Sequence, residues 1–421
     1  MAIGRDGDAG AGILPQADGK GATSDVAPGA PATGLIHHGY VAPGGFDAIP
    51  PGVFKASTVL FENVAALRSH SWLEKTAYSY GLHGTPTTFT LEARLATLEG
   101  GTHALLAPSG LAAVALVNQS LLSTGDVVLL PDNVYFPNRN LAAHELARWG
   151  IAHRLYDAMD IASLEAALLP DTAVVWLEAA GSVTLEFPDL RSAIATIRAR
   201  APKAVIALDN TWGAGLAMDA FELGVDLTIH ALTKYPSGGG DVLMGSVVTR
   251  SKALYERLAL THSRLGLGVG ANDVEFVLRA LPSLPLRYAA QDAAARRIAQ
   301  WALARPEFVQ VLHPPTPGSP GHEHWASHCR AAAGLLTLEF DPRHAPEAVD
   351  RVVDSLRLFG IGWSWGGPMS LAVPYRPEVL RGTRSRYRGM LVRLCVGLES
   401  VDDLVADLEQ ALAGLPPLDP V

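Results

Sequence analysis

The sequence predicts an α/β fold: a large, mostly parallel sheet between helices, followed by a smaller C-terminal α+β domain. Three observations predict it. From Thr87 onward, short apolar runs alternate with stretches of helix length. Those runs are mostly apolar, as strands buried on both faces tend to be. After Gly270 the alternation gives way to long helix, then to a second strand-and-helix pattern.

The elements follow in order. Residues 1–35 are Gly-, Ala-, Asp- and Pro-rich without periodicity and read as a disordered tail. Residues 36–86 read as an irregular arm, 87–285 as the large domain and 286–421 as the end domain. Leu91, Leu95 and Leu98 lie at helical spacing, and Gly100-Gly101 stops that helix. His103–Pro108, Asp126–Leu130, Ala173–Leu177, Ala204–Leu208 and Asp226–Leu232 read as strands. Gly110–Leu122, Pro137–Trp149, Ile161–Leu168 and Leu190–Arg200 read as the helices between them. Beyond Gly270, helices are predicted over Asp273–Leu281 and Leu286–Ala304, then a loop from His313 to His324. Helix Pro346–Phe359, strand Met390–Val396 and helix Val401–Leu415 complete the end domain.

Composition removes several function classes. The chain has 421 residues, 48% hydrophobic and 18% charged, too apolar for a disordered protein. A net charge of −9 argues against duplex DNA or an anionic membrane surface as partner. Two cysteines, Cys329 and Cys395, make no disulfide framework and suit a reduced, cytoplasmic compartment. Arg5, Asp6 and Asp8 stand where a secretory leader needs apolar residues, and no run of 18 apolar residues predicts a membrane span. Six lysines are present, so chemistry that needs an amine has few candidates.

The densest chemistry lies in Ala204–Trp212 and Asp226–Gly240. One apolar strand ends in Asp209 and a second in Thr233-Lys234. A carboxylate and an amine at the ends of buried strands are costly unless compensated. Two readings stay open: a structural ion pair, or a pyridoxal phosphate site in which the amine binds the aldehyde and the acid faces the ring nitrogen. Pro108-Ser109-Gly110-Leu111 opens an Ala-rich helix after a strand, a place for a phosphate. Tyr135 follows the next strand and offers a ring to cover a cofactor face.

Together these segments resemble the Cys/Met-metabolism family of pyridoxal-phosphate enzymes, of fold type I, and within it the cystathionine β-lyase branch. The resemblance runs from about Thr58 to Leu412. Its pieces are Tyr80-Gly81 through Gly84-Thr85, Leu98-Glu99-Gly100-Gly101, Ser109-Gly110, Asp209-Asn210-Thr211-Trp212, Thr233-Lys234-Tyr235, Ser364-Trp365-Gly366-Gly367, and Val392-Arg393-Leu394 with Val396-Gly397-Leu398-Glu399. The resemblance implies pyridoxal 5'-phosphate as cofactor and Lys234 as its Schiff-base lysine and proton shuttle. It implies Asp209 on the pyridine nitrogen and Tyr135 stacked on the ring, giving or taking protons. Gly110, Leu111, Ser109 and Thr233 would meet the phosphate. Tyr80 would reach the phosphate of a neighbouring subunit, making a homodimer the smallest active unit and a homotetramer the expected assembly. Arg393 would clamp the substrate α-carboxylate, and Ser364 and Trp365 would line the pocket. The implied reaction is β-elimination of the thioether cystathionine. The alternatives are a γ-lyase or γ-synthase, an O-acylhomoserine sulfhydrylase, a broad cysteine-S-conjugate lyase, or a non-catalytic relative.

The chain departs from the family at Leu82, where an arginine is usual, and at Gly238-Gly239-Gly240, where Gly-His-Ser is usual. Ser182 stands where many members carry asparagine. Other clusters read blandly. His322, Glu323, His324 and His328 lack metal spacing, so no metal is expected. Gly266, Gly268 and Gly270 read as a connector, and Arg381, Arg384, Arg386 and Arg388 as a solvated loop.

Overall fold

The computed structural model describes residues 31–38, 48–75, 77–378 and 385–418. Its strands are β1 (His103–Ala107), β2 (Val127–Pro131), β3 (Ala152–Tyr156), β4 (Val174–Glu178), β5 (Val205–Asp209), β6 (Leu227–Ala231) and β7 (Gly245–Thr249) in the larger sheet. Their spatial order is β1-β7-β6-β5-β4-β2-β3. Only β7 runs against its neighbours, pairing antiparallel with both β1 and β6. The parallel core therefore sends the ends of β4, β5 and β6 to one edge, where open α/β sheets collect ligands.

The helices are α1 (Pro31–Ile36), α2 (Val64–Ser69), α3 (Pro86–Glu99), α4 (Gly110–Leu121), α5 (Phe136–Asn140), α6 (Ile161–Ala167), α7 (Leu190–Arg200), α8 (Lys252–Leu265), α9 (Ala271–Ala280) and α10 (Leu284–Ala302). Helices α3 and α7 bury Leu91, Leu95, Ile194 and Ile197 on one sheet face, against Ile206 and Leu208 of β5. Helices α4 and α8 bury Val114, Val117 and Leu258 on the other, against Ala207 and Ile229. The alternation of β5 between the two cores is the period-2 pleat at work. Asp209 thus falls on the α4 face and Asn210 on the α3 face.

A second sheet, in the order β10-β11-β12-β9-β8, builds the end domain. It comprises β8 (Phe308–Leu312), β9 (Leu335–Phe340), β10 (Gly360–Ile361), β11 (Leu371–Tyr375) and β12 (Leu391–Cys395). Helices α11 (His322–His328), α12 (Pro346–Asp354) and α13 (Val401–Leu412) accompany it. Its core holds Leu336, Leu338, Val349, Leu394, Leu404 and Leu408.

Four expectations are corrected. Residues 1–30 of the predicted tail lie outside the described residues, but 31–36 form a helix with Leu35 buried on the main core. Composition hid that anchor, because one leucine among small residues shows no period. The predicted break at Leu284-Pro285 is instead the start of α10, with Pro285 in its first turn, where a missing N–H costs nothing. The boundary set at residue 286 therefore falls inside that helix. Pro137–Trp149 is not one α-helix but α5 followed by a π-helical segment, Leu141–Leu146. Finally, the loop expected from His313 to His324 gives way to α11 at His322.

Candidate active site

Lys234 lies just beyond β6, where backbone bonds from Lys234 N–H to Ala231 O and from Gly238 N–H to Lys234 O turn the chain sharply. Its Nζ donates to Ser364 Oγ at 2.9 Å and lies 5.3 Å from the centre of the Trp365 ring. Gly366 makes this approach possible: a Cβ there would come within 2.9 Å of Tyr235 N. Burial lowers the amine's pKa to about 8, and the Arg393 guanidinium adds to the effect, while Cys395 and Asp209 oppose it. The sequence-predicted Lys234, Ser364, Trp365 and Arg393 are therefore one cluster, assembled across the two domains.

Arg393 projects from β12 and is buried. Its Nη2 donates to Trp363 O at 2.9 Å, and its guanidinium lies over the Tyr375 ring. Its Nε has no partner among the described residues. A buried guanidinium with an unspent donor is costly alone and suits an incoming carboxylate.

Asp209 ends β5. Its Oδ1 accepts Thr211 N–H at 3.0 Å, and Thr211 Oγ1 in turn accepts Ala231 N–H at 2.9 Å. Burial raises the carboxyl's pKa; Thr211 and His230 offset part of the rise. Beneath it, Glu99 is fully buried and takes His230 Nδ1 at 3.0 Å and Asn210 Nδ2 at 2.7 Å. Sequence reasoning recovered Glu99 only as part of a motif, because its partners are more than a hundred residues away.

Tyr135 caps α5 and is 40% exposed. Its backbone N–H donates to Glu178 Oε2 at 2.7 Å. Burial raises the phenol pKa, with Asp209 and Glu178 reinforcing the rise, so the hydroxyl holds its proton at neutral pH.

At the mouth of α4, Ser109 Oγ accepts Ala112 N–H at 3.0 Å and Ser109 O accepts Ala113 N–H at 3.0 Å. The N–H groups of Gly110 and Leu111 are left to face outward, as first-turn groups do. The backbone is tightly nested here: a Cβ on Gly110 would stand 2.7 Å from Ala231 Cβ, and one on Gly245 would stand 2.4 Å from Ser109 O. Thr233 Oγ1 is engaged with Met244, accepting its N–H at 3.1 Å. Tyr80 lies apart from this group on the arm, 46% exposed and bridged to Thr58.

The departure at Leu82 and the histidine next to it have structural outcomes. Leu82 packs against Gly268 in the connector after α8. His83 stacks on Trp72, with ring centres 4.6 Å apart, and meets Ser79 Oγ at 3.1 Å. Two carboxylates were missed. Glu178 lies beside Asp209 as its register partner. Glu186 accepts from Asn133, Thr184 and Tyr387 and pairs with Arg386 at 3.2 Å. Arg386 and Arg388 are exposed, as a solvated loop requires, and Arg386 in addition pairs with this buried acid; Arg381 and Arg384 lie outside the described residues.

The donor set fits pyridoxal 5'-phosphate. An amine, an acid for a pyridinium, outward N–H groups at a helix mouth and a buried guanidinium with an unpartnered Nε occupy one edge of the sheet. Among the described residues no group of His, Cys, Asp and Glu could hold a metal ion, and no helix is long and apolar enough to cross a membrane.

A model of the family described as Cys/Met metabolism PLP-dependent enzyme matches residues 32–413. The cystathionine beta-lyase of Bordetella avium is 39% identical over 366 residues, covering 85% of this chain and 90% of that protein. The cystathionine beta-lyase of Escherichia coli is 32% identical over 387 residues, covering 90% and 98%. A crystal structure of cystathionine gamma synthase from Xanthomonas oryzae, in complex with aminoacrylate and cysteine, superposes with TM-score 0.84 at 28% identity, covering 92% and 99%.

Proposed function

The chain belongs to the Cys/Met-metabolism family of pyridoxal-phosphate-dependent enzymes, and from that premise we propose that it is a cystathionine β-lyase. The reaction takes L-cystathionine and water to homocysteine, pyruvate and ammonia. The observation that carries the reading is Lys234. It is a half-buried amine with pKa about 8, bonded to Ser364 and flanked by Asp209 and Arg393.

The cofactor, when bound, supplies the electron sink that makes a Cα proton acidic. Lys234 would bind its aldehyde, Asp209 would face its ring nitrogen, and the N–H groups of Gly110 and Leu111 with the Ser109 and Thr233 hydroxyls would meet its phosphate. Arg393 receives the substrate α-carboxylate, and its rigid fork sets the orientation of the Cα–H bond. Lys234, neutral for part of the time near pH 8, takes the Cα proton. Ser364 holds the amine on one side, and Trp365 packs beside it to exclude water. The Cβ–S bond then breaks with its electron pair on sulfur, and a proton from Lys234 or Tyr135 completes homocysteine. Water hydrolyses the remaining three-carbon enamine to pyruvate and ammonia.

The test is the product set from purified protein and cystathionine. Pyruvate with homocysteine supports β cleavage. 2-Oxobutyrate with cysteine would replace the reading with γ cleavage, which the likeness to a γ-synthase structure makes the second reading.

A further inference from the structure

Glu178 and Asp209 end adjacent parallel strands and are register partners, so their side chains leave the sheet on the same face. Glu178 is 9% exposed. Its Oε2 holds the Tyr135 N–H at 2.7 Å, and the Ser182 N–H close by donates to Asn133 O at 2.9 Å. Asp209 is tied in the same manner to the Thr211 N–H. Each acid therefore pins one segment of the site by a backbone N–H, at the ends of two adjacent strands. Two full negative charges side by side in such a place repel strongly, and one proton removes the repulsion.

We propose that Glu178 is a positioning residue for the ring-binding acid: it carries the one proton of a Glu178–Asp209 pair and, through its carbonyl oxygen, holds the Tyr135 loop over the cofactor face. The pair then presents a single negative charge to the ring nitrogen. This deepens the site assignment made above and rests on Asp209 and Tyr135 having the roles given there.

The surroundings agree. Burial, and then the charge of Asp209, push the Glu178 carboxyl well above the usual range, and the Tyr135 N–H bond offsets only part of that. Tyr156 of β3 lies near Glu178 with its hydroxyl spent on Trp176 O, and Asp132 adds negative charge beside it. From α3, Glu99 adds negative charge near Asp209, which His230 on β6 balances. The Lys234 amine lies on the Asp209 side, so the proton belongs on Glu178 and the charge on Asp209.

The full-length cofactor-free protein tests this by infrared difference spectroscopy at neutral pH. The wild type should show the carbonyl stretch of a buried protonated carboxyl, and Glu178→Gln should lose it. In Asp209→Asn the band should titrate away at lower pH than in wild type, because removing a neighbouring negative charge lowers a carboxyl pKa. Cofactor binding gives an independent measure. Glu178→Leu should weaken it by about tenfold or more through the lost bond to the Tyr135 N–H, and Glu178→Gln, the neutral isostere, should restore it to within about threefold. If Gln fails as badly as Leu, or if no such band exists in the wild type, Glu178 is ionised and the proposal falls. The infrared result is independent of which thioether is cleaved, so a wrong substrate assignment leaves it standing. Should Glu178→Leu fail to fold, the band and the Gln variant decide alone.

Discussion

A lysine in water keeps its proton to about pH 10.4, so the amine of Lys234 is useful only because the fold has changed it. Burial and Arg393 bring its pKa to about 8. The folded state therefore sheds this proton before the unfolded state does, and between those values the group adds stability as pH rises. In chemical denaturation of cofactor-free protein, wild type should gain stability relative to Lys234→Ala from about pH 8 upward; a flat difference would contradict the lowered pKa. Arg393 is the other residue whose environment states its task. With Nε unpartnered and Nη2 on Trp363 O, it awaits an anion, so Arg393→Ala should lower kcat/KM by about a hundredfold, mainly through KM. An equal loss in kcat with KM unchanged would place Arg393 elsewhere in the chemistry. Lys234 and Asp209 were legible in the sequence because each ends an apolar strand with a charge that needs a reason, and Arg393 was legible only through the family resemblance. Glu178 does the same at the end of VVWLE and was not read, because its meaning comes from its register partner 31 residues later.

At the scale of elements, the mouth of α4, proposed above to meet the phosphate, depends on three segments approaching at backbone distance. The Ser109 cap, the end of β6 and the start of β7 meet with no room for a side chain at Gly110 or Gly245. Replacing Gly245 by alanine would set a Cβ 2.4 Å from Ser109 O and force the α4 N-terminus outward. Cofactor affinity should drop by about tenfold or more while the far-UV spectrum is retained, as titration of cofactor-free protein would measure; unaltered affinity would show that the mouth does not bind phosphate. The buried strands β1, β2, β4, β5 and β6 were recoverable from apolar runs alone. Two strands were not. Edge strand β3, AHRLY, has a half-solvated pattern, and β7 opens on Gly245 and Ser246, whose small size is required by packing and looks like loop. Helix α8 was missed with it, since its polar face breaks the apolar signal and no strand had been placed before it.

The whole molecule is held in register by contacts that no local pattern displays. Glu186 joins Asn133, two residues before Tyr135, to Tyr387 and Arg386, which lead into β12 and Arg393. Thr337 of β9 adds a bond to Val183 O at 2.6 Å. The Tyr135 loop and the Arg393 strand are thus tied to one buried acid, and the two-domain reading of the sequence left that tie unseen. The arm raises the largest question of scale. Leu60 is 90% exposed, with Val64 and Leu67 exposed beside it, and Tyr80 projects from the same arm. So much apolar surface on an irregular segment calls for a cover, and a second copy with its symmetry-related arm is the simplest one. If Tyr80 serves the neighbouring subunit's phosphate, Tyr80→Ala and Lys234→Ala damage the same site from different chains. Each variant alone should be nearly inactive. Mixed and reassociated, half of the dimers are heterologous, and each of those carries one site with both residues intact. Activity should then return to about a quarter of the wild-type value, the fraction that random pairing of two chains allows. Recovery requires sites built from two chains, because two defects confined to one chain's own site cannot complement. A mixture that reassociates yet stays as inactive as its components would place Tyr80 and Lys234 in the same subunit's site.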